Sequence, residues 1–299
     1  MKSTDALAST SDGRLLLPAW LALGFLVSQF AWIWRHRPEY HFGWIVLLLS
    51  LFLFYEAWPA RPERVRGQHW LAGLLFGLGF AIAGCVRLYA SALGMGPTAL
   101  FALGMGVLAM VGGNIVYLMG VKGLTHFAFP LGFLILAFPP PGFLGEWIVG
   151  NLKEWIAVAT VDVLKLGGIP AQRTGNLIHV VSGTVGVEDA CSGVRSLQSA
   201  LMATLFVSHL AFRGWCSRLL LVGAGCGLAL ATNLGRSVWL SVVAHRRGPG
   251  AVDRLHDPAG WLIFICTLSG VLLVVWACRR MESYLPHGTR PVGSLPHAP

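Results

Sequence analysis

The stretch from Thr98 to Leu118, TALFALGMGVLAMVGGNIVYL, is 21 residues long and carries no charged side chain. A helix needs about 20 apolar residues to cross the hydrocarbon core of a bilayer, so this stretch predicts a transmembrane helix. Seven further apolar runs follow the same pattern. The eight predicted spans are residues 15–34, 43–58, 70–89, 98–118, 123–138, 192–212, 217–243 and 259–278.

The composition also indicates a polytopic membrane protein. Hydrophobic residues make up 55% of the 299 and charged residues only 12%, whereas about a quarter of the residues in soluble domains are charged. We therefore predict an all-α membrane protein with one transmembrane domain over residues 1–280. Residues 281–299 are rich in proline and glycine and are predicted to form a disordered cytoplasmic tail.

The basic residues indicate how the chain is oriented and what it contacts. The net charge of +9 is spread between the apolar runs, which is typical of contacts with anionic membrane lipid rather than with nucleic acid. Equal numbers of Lys and Arg residues fall on the two sides of the membrane. The short loops nevertheless favour a cytoplasmic N-terminus and C-terminus, although Arg35 and Arg37 oppose this orientation. The cytoplasmic set is Lys2, Arg14, Arg61, Arg64, Arg66, Lys122, Arg213, Arg218, Arg279, Arg280 and Arg290.

This orientation places residues 139–191 on the outside of the cytoplasmic membrane. Between Phe143 and Leu166, charged residues interrupt an apolar segment, which favours a helix lying along the membrane interface; a ninth span is the alternative. Farther on, two β-branched stretches flank Ser182-Gly183 and predict a small β-hairpin. The hairpin leads into the segment Val187-Glu188-Asp189-Ala190-Cys191-Ser192-Gly193-Val194-Arg195-Ser196-Leu197.

Among the six cysteines, Cys191 differs from the others because it lies among polar and small residues. It precedes the predicted start of a helix at residue 192 by one residue. A thiol at a helix N-terminus faces the positive end of the helix dipole, which favours the thiolate. Arg195 follows four residues later and is predicted to lie on the same helical face.

Arg236 lies within the seventh predicted span. An arginine at the centre of a membrane helix costs about 2.5 kcal/mol or more, so its presence indicates either a function or a structural pairing. Asn233 shares its helical face three residues earlier. If the span ends near Val243, Arg236 lies about 10 Å below the outer end and is expected to reach toward a thiol at the start of the sixth span.

His256 stands just before the last predicted span, on the same outer side as Cys191. A histidine there is suited to deprotonate the thiol and then to protonate a leaving amine. A histidine in such a position is also commonly an ordinary surface residue. His245, in a short basic loop, is the competing candidate for the same role.

The three side chains together suit acyl transfer on a peptide bond. Cysteine and histidine form a nucleophile and its base, and arginine supplies a fixed positive charge and hydrogen-bond donors for a thiolate or an oxyanion. The sequence contains no Cys or His spacing typical of zinc and no phosphate-binding loop. We therefore predict neither a metal nor a cofactor.

These motifs resemble the exosortase/archaeosortase family. The resemblance rests on Ala190-Cys191-Ser192-Gly193-Val194-Arg195-Ser196-Leu197, on Asn233-Leu234-Gly235-Arg236, and on His256 before Gly260 and Trp261. It covers roughly residues 40–280 and includes the multi-span layout.

The resemblance implies an exosortase-like cysteine transpeptidase, a thiol protease of the cytoplasmic (inner) membrane with its active site on the periplasmic side. Its expected partners are exported proteins with a C-terminal sorting tail of the PEP-CTERM type: a short motif, a transmembrane helix and a basic cluster. Cys191, Arg236 and His256 match the family's catalytic residues. Arg195 and Asn233 are expected to bind substrate, Arg195 through the carboxylate of the motif.

Two other functions fit the same residues. A multi-span transporter would use Arg236 to line a solute path. A purely hydrolytic intramembrane cysteine protease would use the same catalytic set and release a free acid. The sequence does not distinguish hydrolysis from transfer.

Overall fold

The computed structural model describes residues 15–64, 68–186, 193–212 and 214–284, which form nine α-helices and one three-stranded sheet. The chain divides into two compact units, Met1–Ile148 and Val149–Pro299. The first contains α1 (Leu17–His36), α2 (Gly43–Ala57), α3 (His69–Leu93), α4 (Pro97–His126), α5 (Ala128–Leu134) and the start of α6 (Gly142–Leu166). The second contains the rest of α6, β1 (Ala171–Thr174), β2 (Leu177–Val180), β3 (Gly183–Gly186), α7 (Val194–Ala211), α8 (Trp215–Arg247) and α9 (Pro249–Tyr284).

The predicted class of an all-α polytopic membrane protein is confirmed, and the predicted number of about eight spans is approximate. Six of the described helices are long and apolar enough to cross a membrane, or seven segments if the bent pair of α5 and α6 counts as one span. α7 corresponds to the sixth predicted span but is not among the six. The predicted interfacial helix corresponds to α6, whose relation to the membrane surface stays a prediction.

Glycines bring α3 and α4 close together in the first unit. A Cβ on Gly79 would lie 2.6 Å from the backbone oxygen of Gly106, and a Cβ on Gly113 would lie 3.2 Å from the backbone oxygen of Ala72. Small residues at such contacts allow the backbones of membrane helices to approach each other. Gly79 and Gly113 therefore serve the packing of α3 against α4.

The boundary between the fourth and fifth predicted spans differs from the prediction. α4 continues to His126 and has a kink at Gly120, where φ is 66° and ψ is −167°. The kink frees the backbone N–H of Val121, which donates to the side-chain oxygen of Gln68 at 2.8 Å. The chain then breaks at Phe127, and α5 is only seven residues long. Pro130 explains the break, because a proline is tolerated in the first turn of a new helix and not inside a continuing one.

The predicted hairpin is confirmed as β2 and β3, which pair in antiparallel register with Ile178 opposite Val185. A strand that was not predicted, β1, pairs with the other edge of β2. The sheet and α6 cover the C-terminal part of α8 through a shared apolar core. That core consists of Ile156, Ala157, Val161, Leu164, Ala171, Ile178, Val180, Val185 and Ala244.

Three predictions concern residues that the structure does not describe fully. Cys191 lies in the undescribed segment 187–192. Most of the predicted disordered tail lies beyond Tyr284, where the described residues end. The single domain over residues 1–280 also stays a prediction.

Candidate active site

Helix α8 carries the residues around which the candidate site is built. Its 33 residues run without a break, and one face is buried at every fourth position. After Leu221, the side chains on this face are small or polar, so neighbouring elements approach the helix closely. The buried positions on this face are Leu221, Gly225, Ala229, Asn233, Ser237 and Ser241.

The start of α7 rests on Asn233. Gly193 is the N-cap of α7 and has a left-handed backbone with φ 80° and ψ −3°. A Cβ on Gly193 would lie 2.7 Å from Nδ2 of Asn233 and 3.0 Å from its Cγ, and Asn233 is only 3% exposed. Both the left-handed conformation and the contact require glycine at this position. Asn233 therefore fixes how closely the N-terminus of α7 approaches α8.

The structure corrects the predicted start of the sixth span. α7 begins at Val194 rather than at residue 192, and the left-handed Gly193 stands before it. The argument that Cys191 and Arg195 share one helical face required a helix starting at residue 192, so it no longer applies. Arg195 lies in the first turn of α7 and is exposed, so it remains available to a bound peptide.

Arg236, one turn after Asn233, approaches α9. Its Nη2 atom lies 3.8 Å from the position that a Cβ on Gly260 would take. Arg236 and Gly260 are each twelve residues from Gly248, whose φ of 78° forms the turn between α8 and α9. The two residues therefore lie level with each other in an antiparallel helical hairpin.

The structure also corrects the setting of His256. It lies inside α9, which begins at Pro249, and not in a loop. The candidate membrane span within α9 runs from Pro258 to Arg280, close to the predicted 259–278. Proline is favoured at the first position of a helix, so the helix starts directly after the turn at Gly248, and Pro258 lies within it. Only the backbone of His256 is described. Gly260 follows it by four residues, so the two positions share one face of α9 about 6 Å apart.

The competing histidine, His245, lies away from this arrangement. It follows Arg236 by nine residues on the same regular helix, which corresponds to about 13 Å along the axis and about half a turn around it. That side of α8 carries Leu234, Val238 and Val242, which pack against the core formed by α6 and the sheet. His245 thus lies on the side of α8 that faces this core, away from Arg236. The structure brings Arg236 close to the position of His256 and not to His245.

Sequence reasoning missed a contact between α6 and α8 next to Arg236. The hydroxyl of Thr160, a fully buried residue, lies 2.9 Å from the hydroxyl of Ser237. A threonine and a serine inside apolar segments gave the signal, but nothing in the sequence paired them. Gly193 and Gly260 were also not among the predicted site residues, because their role depends on side chains from another helix.

The arrangement has two halves that meet on one turn of α8. Asn233 contacts the residue two positions after Cys191, and Arg236 contacts the residue one helical turn after His256. Across the described residues, no cluster of three His, Cys, Asp or Glu side chains could hold a metal ion. The Arg236 guanidinium beside α9 is suited to stabilise negative charge on sulfur or oxygen.

The sequence was also compared with models of known protein families. The profile of the family described as "Transmembrane exosortase" matches residues 34–274, which is most of the chain and includes both halves of the site.

The chain belongs to the transmembrane exosortase family.

Membership of this membrane-enzyme family supports an exosortase-type function and protein substrates that carry sorting signals. No curated protein and no solved structure matches the chain. The roles of individual residues therefore depend on the geometry described above.

Proposed function

We propose that this exosortase is a cysteine transpeptidase that cleaves C-terminal sorting tails from exported proteins at the outer face of the cytoplasmic membrane. The observation that carries the proposal is the pair of contacts on one turn of α8, from Asn233 to Gly193 and from Arg236 to Gly260. Through these contacts, α8 links the chain segment of Cys191 to the helix of His256. Family membership supplies the class of substrate.

The first chemical step forms a thioester. The Cys191 thiolate, formed by transfer of the thiol proton to His256, attacks the scissile carbonyl carbon, and the carbonyl π electrons move to its oxygen. The Arg236 guanidinium stabilises the negative charge, first on sulfur and then on the oxyanion. The intermediate collapses, the C–N bond breaks, and His256 gives a proton to the nitrogen of the departing tail.

The second step releases the mature protein. An acceptor nucleophile with an N–H or O–H group attacks the thioester carbonyl, and His256 takes the acceptor's proton. Collapse of this intermediate breaks the C–S bond and returns Cys191 as thiolate beside Arg236. With water as acceptor the product is a free acid, and with an amine or hydroxyl acceptor it is an amide or an ester.

Arg195 is proposed to select the motif. It is exposed in the first turn of α7, four residues after Cys191, so a peptide bound across the cysteine passes within reach of its side chain. Arginine binds carboxylates through two parallel hydrogen bonds. An acidic residue in the sorting motif therefore has a partner beside the nucleophile.

The length of α8 supports an active site at the outer membrane surface. Arg236 follows Trp215 by 21 residues, or about 32 Å along the helix, and the hydrocarbon core is about 30 Å thick. Trp215 suits the cytoplasmic interface, because tryptophan favours that zone and the Arg218 guanidinium lies 5.7 Å from its ring. Arg236 then lies near the outer boundary of the hydrocarbon core rather than at its centre.

The decisive experiment is mass spectrometry of a co-expressed substrate that carries a sorting tail. The wild-type enzyme is expected to remove the tail, and Cys191→Ala is expected to leave it intact while remaining in the membrane at the normal level. Normal processing by Cys191→Ala would end the proposal. The mass at the new C-terminus distinguishes transfer, which adds the mass of the acceptor, from hydrolysis, which adds only water.

A further inference from the structure

The pairing of β2 with β3 shows which backbone groups lie on the outer edge of the sheet. Val180 and Gly183 flank the two-residue turn between the strands, so they form a hydrogen-bonded pair. In an antiparallel ladder such pairs alternate, so every second residue of β3 points its N–H and carbonyl groups toward β2. The N–H and carbonyl groups of the other two residues, Thr184 and Gly186, therefore point away from β2.

These four backbone groups form an open edge. Thr184 is exposed and Gly186 is half-buried. Among the described residues, no hydrogen bond reaches the N–H or carbonyl group of either, and the contact of Thr184 with Nδ1 of His179, at 2.9 Å, uses its hydroxyl. The two residues lie about 7 Å apart along the strand, which is the repeat of an extended peptide. A row of unpaired N–H and carbonyl groups is a template for a further strand.

The opposite edge of the sheet, on β1, differs. Thr174 and Leu177 flank the turn between β1 and β2, so the same alternation directs the backbone groups of Ala171 and Arg173 outward. Ala171 is only 4% exposed, and Nη1 of Arg173 lies 3.2 Å from Oε1 of Glu154 on α6. Charged side chains on an edge strand discourage pairing with another strand. The β1 edge is therefore both covered and charged.

The β3 strand has neither protection. Its sequence, Gly-Thr-Val-Gly, carries no charge, and glycine in a strand is typical of places where another backbone approaches closely. The strand is also firmly held: Val185 lies in the core with Ala244 of α8, and a Cβ on Gly183 would lie 3.4 Å from Cδ of Pro249, the first residue of α9. A preformed edge lowers the ordering cost of binding a peptide.

We propose that the sorting tail binds as a fourth strand on the outer edge of β3, where alternate residues of the tail exchange hydrogen bonds with the backbone of Thr184 and Gly186. The chemistry of the edge indicates the occupant, because alternating N–H and carbonyl groups recognise an extended peptide. Exosortases act on proteins that carry sorting signals, and the chain continues from β3 toward Cys191. The inference rests on the proposed function for the identity of this peptide, but the pairing is measurable without cleavage.

The test uses the full-length Cys191→Ala protein in nanodiscs and a synthetic tail that consists of the motif, the transmembrane helix and the basic cluster. Hydrogen exchange of the backbone amides in the sheet is measured with and without the tail. The Kd of a fluorescent tail is measured by anisotropy. In a series of tails, each non-proline amide around the motif is replaced in turn by an ester, which removes one N–H and keeps the side chain.

Binding of the tail is expected to slow exchange at Thr184 and Gly186 by at least about tenfold, because these N–H groups become hydrogen bonded. The amide of Arg173, on the opposite edge, is the internal control and is expected to exchange at an unchanged rate. Ester replacement is expected to raise Kd about fivefold at alternate positions of the tail and to have little effect at the positions between them.

Thr184→Pro removes one outward N–H and places a ring on the edge, which a strand tolerates on its unpaired side. It is expected to raise Kd at least about tenfold. Arg173→Pro is the matched control on the β1 edge, and His179→Ala removes only the partner of the Thr184 hydroxyl. Both controls are expected to keep Kd within about twofold. The ester series leaves β3 unchanged, so it decides the question if Thr184→Pro does not fold.

The outcomes separate this inference from the proposed function. Slow exchange at Thr184 and Gly186 before the tail is added would overturn the inference, because the edge would then already be paired within the chain or with a second copy. Cleavage of the tail by the wild type, with unchanged exchange at both residues and no alternation in the ester series, would overturn the inference and leave the proposed function intact. Slowed exchange and an alternating ester pattern, with a wild-type enzyme that cleaves no tail, would support the inference and contradict the proposed function.

Discussion

Arg236 and Gly260 face each other across the α8–α9 hairpin, with Nη2 of the arginine 3.8 Å from the position of a Cβ on the glycine. That distance is an ordinary van der Waals contact, so a methyl group fits beside the guanidinium. The guanidinium is thus held at a fixed height on α8, one helical turn from the backbone of His256. Substitutions at Gly260 therefore report on the position of Arg236 without removing its charge.

We expect Gly260→Ala to keep kcat for tail cleavage within about threefold, because its methyl group fits beside the guanidinium. Gly260→Leu forces Arg236 to move and is expected to lower kcat about 100-fold. Gly250→Leu is the matched control, since a Cβ at Gly250, on the same helix, meets no atom within 4 Å. Equal activities of the two leucine variants would contradict the assigned position of Arg236.

Gly193→Ala is expected to abolish detectable cleavage and to lower the thermal midpoint of unfolding. The new Cβ meets the amide of Asn233 at 2.7 Å, and the left-handed backbone costs an alanine about 1–2 kcal/mol. Gly223→Ala, on the open side of α8, is the control and is expected to stabilise the helix by about 0.5–1 kcal/mol. The prediction fails if circular dichroism melts and cleavage assays of Gly193→Ala match those of the wild type.

The two histidines are expected to behave differently. His256→Ala removes the proposed acid–base group and is expected to reduce kcat by about 10² to 10⁴. His245→Ala lies on the opposite side of α8 from Arg236 and is expected to keep kcat within about threefold. Cleavage kinetics of the two purified variants check this, and the reverse pattern would transfer the role to His245.

Thr160→Val tests the link between α6 and α8. The valine keeps the shape of threonine but removes the hydroxyl that lies 2.9 Å from that of Ser237, at a fully buried position. We expect the free energy of unfolding to fall by about 1 kcal/mol. Thr174→Val, at an exposed position on β1, is expected to have no effect on the melting temperature in detergent. A Thr160→Val protein as stable as Thr174→Val would show that this hydroxyl contact contributes nothing.

The predicted orientation is tested with single cysteines in a cysteine-free protein. A cysteine at Val181, 75% exposed in the β2–β3 turn, is expected to react with an impermeant maleimide added outside intact cells. A cysteine at Thr125, exposed near the end of α4, is expected to react only after the membrane is permeabilised. The opposite labelling pattern would place the sheet, and the site beside it, on the cytoplasmic side.

Much of the fold follows from properties that one segment carries by itself. The apolar runs required only their length and their low content of charged residues, and the hairpin required only β-branched residues around a Ser-Gly turn. Arg236 was visible as a candidate because it is charged within an apolar run, and Cys191 because, unlike the other cysteines, it lies among polar and small residues. Features of this kind can be predicted from one segment of the sequence, because they do not depend on the neighbouring helices.

The features that could not be predicted depend on two segments together. Gly193, with its positive φ, packs against Asn233, which lies forty residues later in the chain. The hydroxyl contact of Thr160 with Ser237 joins helices that are distant in the chain. The last span was predicted to start at residue 259, whereas the helix that contains it already begins at Pro249. The histidine was therefore assigned to a loop although it lies on a helix.

The unbroken helix from Trp215 to Arg236 also fixes the distance between these two residues along α8. A tail helix that lies beside it, with its basic cluster held at the cytoplasmic interface, presents the scissile bond at the height of the guanidinium only if it has a matching length. Deleting five residues from such a tail would draw the bond about 7.5 Å down into the hydrocarbon. If the proposed function holds, we expect the enzyme to select its substrates by the length of the tail helix as well as by the sequence of the sorting motif.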